Sequence, residues 1–142
     1  MFWTIFASGP GALSLDSLID YEHEPPIVHM PILEVDFVPR DDFCDLYPIY
    51  LVSTRLKQAI EDRGLSGVQI APLKQRKSEQ YELLYPEEKV PVYWWLQPTG
   101  RACLDDFGTV PRRRLVVSDA ALETIRMFNH EYLFCRPYVA ST

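Results

Sequence analysis

What the chain lacks narrows it first. It has three cysteines, Cys44, Cys103 and Cys135, far apart and with no CxxC pair. That spacing argues against a disulfide framework and against a structural zinc site. It suits small buried hydrophobes in a reducing cytosol. Glycine is scarce, at six residues, and the stretch Ser8-Gly9-Pro10-Gly11 has neither the lysine nor the helix start of a phosphate-binding loop. Neither HExxH nor GxSxG occurs, and His23, His29 and His130 are scattered. No apolar run approaches the roughly 20 residues that cross a bilayer. The opening Met1 to Phe6 is apolar but follows no basic segment, so it reads as a first strand and not as a secretion signal. On these grounds no catalytic residue, metal ligand or cofactor is assigned.

Bases are also missing from the first part of the chain. Residues 1–50 hold nine acidic residues and a single base, Arg40, whereas residues 51–142 hold eleven acids and thirteen bases, for a net charge of −6. The acidic segment speaks against nucleic-acid binding, which needs a basic face, and suits a basic protein partner. With 142 residues and 47% hydrophobic composition, residues 1–142 are expected to form a single globular domain with a real core, located in the cytoplasm.

What is present is a stretch that the chain writes twice, 65 residues apart. Val52-Ser53 falls on Val117-Ser118, Ile60 on Ile125, Gly64 on Asn129 and Pro72 on Pro137. Each serine follows a β-branched run and precedes a helical pattern, the place of an N-cap. Leu56, Ala59 and Ile60 share one helical face, as do Ala121, Leu122, Ile125 and Phe128. Gly64 and Asn129 are residue types that tolerate the left-handed conformation ending a helix. A short strand-like run and a proline then close each copy. The spacing predicts helices over about 54–63 and 119–128, in two similar strand–helix–strand units, with a crossover possible inside each.

Elsewhere the breakers and alternation give many short strands. Ile27 to Met30, Ile32 to Val38, Tyr81 to Tyr85 and Val90 to Leu96 read as strands, Leu13 to Tyr21 as weakly helical or irregular, Lys74 to Gln80 as a solvated turn, and 101–111 as irregular. The fold class is α+β, a mostly antiparallel sheet with two capped helices on one face. Asp41-Asp42 and Asp105-Asp106 could form carboxylate sites, but adjacent residues diverge, and loop solvation explains them better. Trp94-Trp95 would face opposite sides of a strand. Arg112-Arg113-Arg114 reads as charge at a strand edge.

Over residues 49–138, the run from Leu51-Val52-Ser53-Thr54-Arg55-Leu56-Lys57 to Gly64-Leu65-Ser66-Gly67-Val68-Gln69-Ile70-Ala71-Pro72 resembles bacterial immunity proteins. These belong to polymorphic-toxin and type VI secretion effector–immunity pairs. A second helix after Leu115-Val116-Val117-Ser118-Asp119 strengthens the likeness. Some relatives carry two CxxC pairs between these helices. This chain lacks them, so no metal carries over. The resemblance implies a non-enzymatic protein that binds a cognate toxin and occludes its active site, and it transfers no contact residues.

The charge excess and the aromatic pair supply the candidates for that contact: Glu34, Asp36, Asp41, Asp42 and Asp45 as the recruiting acids, and Tyr47, Trp94 and Trp95 as anchors. The alternatives are a small enzyme or ligand-binding domain, which a deep pocket with converging polar groups would favour, and an adaptor or chaperone for a secreted effector. Oligomeric state and toxin identity have no signal in the sequence.

Overall fold

The computed structural model describes residues 1–38, 40–111 and 114–139. Strand β1 (Phe2–Phe6) is followed by four short strands, β2 (Gly11–Leu13), β3 (Leu18–Asp20), β4 (Ile27–Met30) and β5 (Ile32–Val35). Next come β6 (Phe43–Leu46), β7 (Ile49–Ser53), α1 (Thr54–Asp62), β8 (Val68–Pro72), β9 (Lys74–Lys77) and α2 (Glu79–Leu84). The chain continues through β10 (Tyr93–Pro98), β11 (Gly100–Arg101), β12 (Phe107–Val110), β13 (Arg114–Ser118), α3 (Asp119–Arg126) and β14 (Phe134–Pro137). The class is α+β with mostly antiparallel pairing, as the alternation predicts.

Two sheets carry the repeated units. One has the order β6-β7-β10-β8, the other β11-β12-β13-β1-β14. In the first, β7 and β8 run parallel on either side of β10, and α1 makes the crossover between them. In the second, β13 and β14 flank β1 in the same way, with α3 as the crossover. The central strands also match. Trp94 pairs with Val52 and Pro72, and Trp3 pairs with Val117 and Pro137. The unit is therefore a crossover with a tryptophan strand laid into its middle. That strand comes after the crossover in the first unit and opens the chain in the second.

The helices form where the caps dictate. The Ser53 hydroxyl accepts from the Leu56 N–H, and the Ser118 hydroxyl accepts from the Ala121 N–H, satisfying donors that a helix start leaves free. Leu56 and Ile60 are buried from α1, and Ala121, Leu122, Thr124 and Ile125 from α3. The two inner sheet faces and both helices share one core, which includes Ile5, Tyr50, Val52, Leu96, Phe107, Leu115 and Val117. Gly64 ends α1 at φ +61°, the left-handed conformation its lack of Cβ allows. Asn129 does not repeat this. Its φ is not positive, and its N–H is instead held by a carboxylate.

A second layer covers the outer face of the four-stranded sheet. It consists of the three-stranded sheet β2-β5-β9 and α2. Leu33, Val35 and Tyr81 from this layer meet Cys44, Ile49, Leu51 and Tyr93 in a second core. Period-two alternation sends Tyr50, Val52, Trp94 and Leu96 to the first core, and Ile49, Leu51, Tyr93 and Trp95 to the second.

Four sequence readings are corrected here. Tyr81 to Tyr85 lies mostly in helix α2, because Ser78 caps it and Glu79 and Glu82 favour its first turn. Lys74 to Lys77 is a strand, parallel to β5. Leu13 to Tyr21, read as weakly helical or irregular, holds the end of β2 and all of β3. The irregular stretch 101–111 contains β12, paired with β13. Arg112 and Arg113 lie outside the described residues.

Candidate functional site

The two acid pairs look like chemistry in the sequence. In the structure they are matching staples that tie one unit to the other. Asp42, just before β6, is 4% exposed. Its carboxylate accepts from the Ser53 hydroxyl at 2.5 Å, from Arg55 Nε at 2.6 Å and Nη2 at 2.9 Å, and from the Asn129 N–H beyond α3 at 3.2 Å. Asp106, before β12, accepts from the Ser118 hydroxyl at 2.5 Å and from the Ser66 N–H beyond α1 at 2.8 Å. The backbone repeats the pattern: Ser53 N–H donates to the Asp42 carbonyl at 2.8 Å, and Ser118 N–H to the Asp106 carbonyl at 2.9 Å. Each cap serine thus holds its helix with one lone pair and gives its proton to an aspartate. That aspartate in turn holds the end of the other unit's helix segment.

The flanking acids complete the staples. Asp41 accepts from the N–H groups of Glu131 at 2.9 Å and Tyr132 at 2.7 Å, and Asp105 closes its own loop on the Arg101 N–H at 2.7 Å. Burial alone would push the Asp42 carboxyl up. The hydrogen bonds from Arg55 and Ser53, with the Arg55 charge, outweigh it and leave Asp42 below its ordinary 3.8. Asp106 is likewise opposed by burial but lowered by Ser118 and Ser66. Loop solvation, the sequence reading of these pairs, is therefore replaced by buried or half-buried hydrogen bonding.

The remaining predicted site residues do not converge. Glu34 stands on the outer side of β5, opposite the buried Leu33 and Val35, where it meets Arg76 Nε at 3.2 Å; Arg76 also reaches Asp16 at 3.1 Å. Asp36 is half-buried just beyond β5, with its N–H on the Pro10 carbonyl. Trp94 donates its indole N–H to the Thr54 hydroxyl at 3.0 Å under the Lys57 ammonium, and Trp95 packs on the second core. Asp45 is half-buried on β6, and Tyr47, at the β6–β7 turn, is 58% exposed. These last two line a pocket of about 170 Å³ with Phe6 and Arg114.

A larger cavity of about 430 Å³ lies between Ser8–Pro10, Phe37–Val38, Tyr85 and Tyr132, with Arg40 and Asp41 on its wall. Among the described residues, no group of three or more His, Cys, Asp or Glu side chains is placed to hold a metal ion. Cys44 is buried, its thiol pushed up to about 12 by desolvation. No helix among the described residues is long and apolar enough to cross a membrane.

The sequence reading missed the outer face of the five-stranded sheet. Trp3 and Ile5 point into the core, so Thr4 and Phe6 lie on the opposite face, where Thr4 is buried beside Val116 and Phe6 is partly exposed. Register then places Arg136 opposite Thr4 and Phe134 opposite Phe6. Phe134 is 71% exposed and Phe6 40%. The signal was available in the 65-residue offset, which sets Phe134 on Gln69 and Arg136 on Ala71. Comparisons with family models, with curated proteins and with solved structures found no match.

Proposed function

We propose that this chain is a non-enzymatic, immunity-type protein that neutralises a toxin by binding it and occluding its active site. The observation that carries this reading is the division of labour among its side chains. The acid pairs and cap serines that could serve chemistry are engaged in holding the two units together, while the large aromatic residues Phe6, Tyr47 and Phe134 are 40%, 58% and 71% exposed. Exposed aromatic residues near arginine are the usual makings of a protein–protein hot spot. The resemblance of the two capped serine helices to immunity proteins supports the same class. The acidic first segment would add long-range attraction to a basic toxin site, raising the association rate in a salt-dependent way. Within it Glu34, Asp36 and Asp45 are the surface candidates, because Asp41 and Asp42 are buried.

The test is co-expression with the protein encoded beside this chain's gene. Expected are growth arrest by that protein alone, relief by this chain, and a stoichiometric complex of the purified pair. Arrest that this chain does not relieve, or a neighbour that is harmless, overturns the reading. The second reading, a ligand-binding domain, is favoured by the 430 Å³ cavity, whose size is in the range of small-molecule sites. Thermal-shift screening against a metabolite library would support it if a hit lost its effect in Arg40→Ala.

A further inference from the structure

Two positions that correspond in the repeat are built differently. Gly67 and Tyr132 are 65 residues apart. Each follows a residue whose N–H is held by a staple carboxylate, Ser66 on Asp106 at 2.8 Å and Glu131 on Asp41 at 2.9 Å. At Gly67 the chain closes tightly. Its φ is +76°, and a Cβ there would overlap the Phe107 carbonyl and the Asp105 side chain. At Tyr132 the surface stays open: this residue is 44% exposed and lines the cavity of about 430 Å³. One unit closes on its staple with no ring, so the fold does not require the ring in the other.

The cavity draws its walls from four segments. Pro10 precedes β2, Phe37 follows β5, Tyr85 ends α2 and Tyr132 follows α3. Hydrogen bonds hold these segments in place. The Pro10 carbonyl accepts from the Asp36 N–H at 3.0 Å, and the Tyr85 N–H donates to the Tyr81 carbonyl at 2.8 Å. The Tyr132 N–H donates to the Asp41 carboxylate at 2.7 Å. Among the described residues, the charged groups on the wall are Arg40 and Asp41. Both oxygens of Asp41 already accept backbone N–H groups, so this acid braces the wall. Arg40 is the single base among residues 1–50 and also lines two further cavities, of about 390 and 440 Å³. Its ion-pair partner Glu131 lies at 3.8 Å, beyond hydrogen-bonding distance, and its guanidinium donates no hydrogen bond among the described residues.

We infer that this cavity binds a small aromatic carboxylate, with its ring against Phe37, Tyr85 and Tyr132 and its carboxylate on the Arg40 guanidinium. Aromatic walls take a flat ring by offset or edge-to-face packing. A guanidinium with free donors takes a carboxylate by two parallel hydrogen bonds. A few polar groups on a mostly apolar, braced wall are the usual makings of a small-molecule site. The inference rests on the ligand-binding reading of the cavity and leaves toxin binding a separate question.

The experiment is an NMR titration of the full chain with hydrocinnamate, with phenethylamine as a cation of like size, and with hexanoate as an acid without a ring. Wild type, Arg40→Gln and Tyr132→Ala are compared, each checked for wild-type thermal unfolding. The inference expects saturable shifts at the amides of Phe37, Tyr85 and Tyr132 with hydrocinnamate, and weaker binding of the other two probes. Affinity for hydrocinnamate should fall at least about tenfold in Arg40→Gln and about threefold or more in Tyr132→Ala. Phenethylamine or hexanoate binding as well as hydrocinnamate overturns the ligand class and leaves the ligand-binding reading standing. Hydrocinnamate binding indifferent to Arg40→Gln does the same. No shift at these residues with any probe at millimolar concentration overturns the inference and the ligand-binding reading together. If Tyr132→Ala unfolds, Arg40→Gln decides by itself.

Discussion

The two repeated units share a helix cap, a crossover, a tryptophan strand and a staple, but differ in what lies on their outer faces. The four-stranded sheet is covered by β2-β5-β9 and α2, and there the outward positions of β7 are Ile49 and Leu51, both buried. In the five-stranded sheet the equivalent positions of β13 are Arg114, which is exposed, and Val116, which is buried beside the buried Thr4. One backbone design thus holds two side-chain sets, with an exposed arginine in the second unit where the first buries an isoleucine. Phe134, 71% exposed, stands where the first unit has Gln69. A residue that breaks the pattern of its own repeat is a stronger pointer to binding than exposure alone, because an exposed apolar residue by itself is ordinary.

The staples give the comparison its first test. Asp42 is more buried than Asp106 and bears a bidentate Arg55 that Asp106 lacks. Asp42→Ala should therefore cost about 3 kcal/mol and Asp106→Ala about 1–2 kcal/mol, measured by urea unfolding. Equal costs would show that Arg55 adds nothing and that the two staples are energetically the same. The caps should behave alike. Ser53→Ala and Ser118→Ala each remove an N-cap and a donor to an aspartate, and each should cost about 1–2 kcal/mol. Were one cap silent, the equivalence of the two units would fail at its clearest point.

Acid should weaken both staples together. Asp42 and Asp106 have folded values below their ordinary 3.8, so the folded state holds their protons less readily than the unfolded chain. The stability they contribute is fully present above about pH 3.8 and is lost as pH falls through their lowered values. Unfolding midpoints should drop steeply below that pH, and Asp42→Asn should flatten the drop more than Asp106→Asn. The smallest effect is expected at the tryptophans. Trp94 donates to the neutral Thr54 hydroxyl at 3.0 Å, and Trp3 to the Asp119 carboxylate at 2.8 Å. Trp3→Phe and Trp94→Phe should each cost about 0.5–1.5 kcal/mol, read by thermal unfolding. Salt should reduce the cost at Trp3 only, since its acceptor, the Asp119 carboxylate, is charged and exposed.

The 65-residue offset exposed the paired crossovers because caps and stops constrain residue type locally. A serine at a helix start or a proline at a strand end is dictated by a few neighbouring atoms, and so is visible in sequence. Both tryptophan strands were legible as strands, but their likeness escaped notice because they lie outside that offset. Trp3-Thr4-Ile5 and Trp94-Trp95-Leu96 are alike, but one opens the chain and the other follows the crossover. Helix α2 escaped because its Tyr81 and Leu83 mimic alternation, and only Tyr81 is buried.

The sequence by itself determined the class, the two capped helices and the acidic bias, since period and capping act within a few residues. Only the tertiary structure decided what the acids do. Asp42 and Asp106 hold the far ends of each other's units, across separations of 87 and 40 residues. Tertiary structure also decided that the layer of β2-β5-β9 and α2 packs on the four-stranded sheet. Both follow from which segments come together in space, and local propensity carries no record of that.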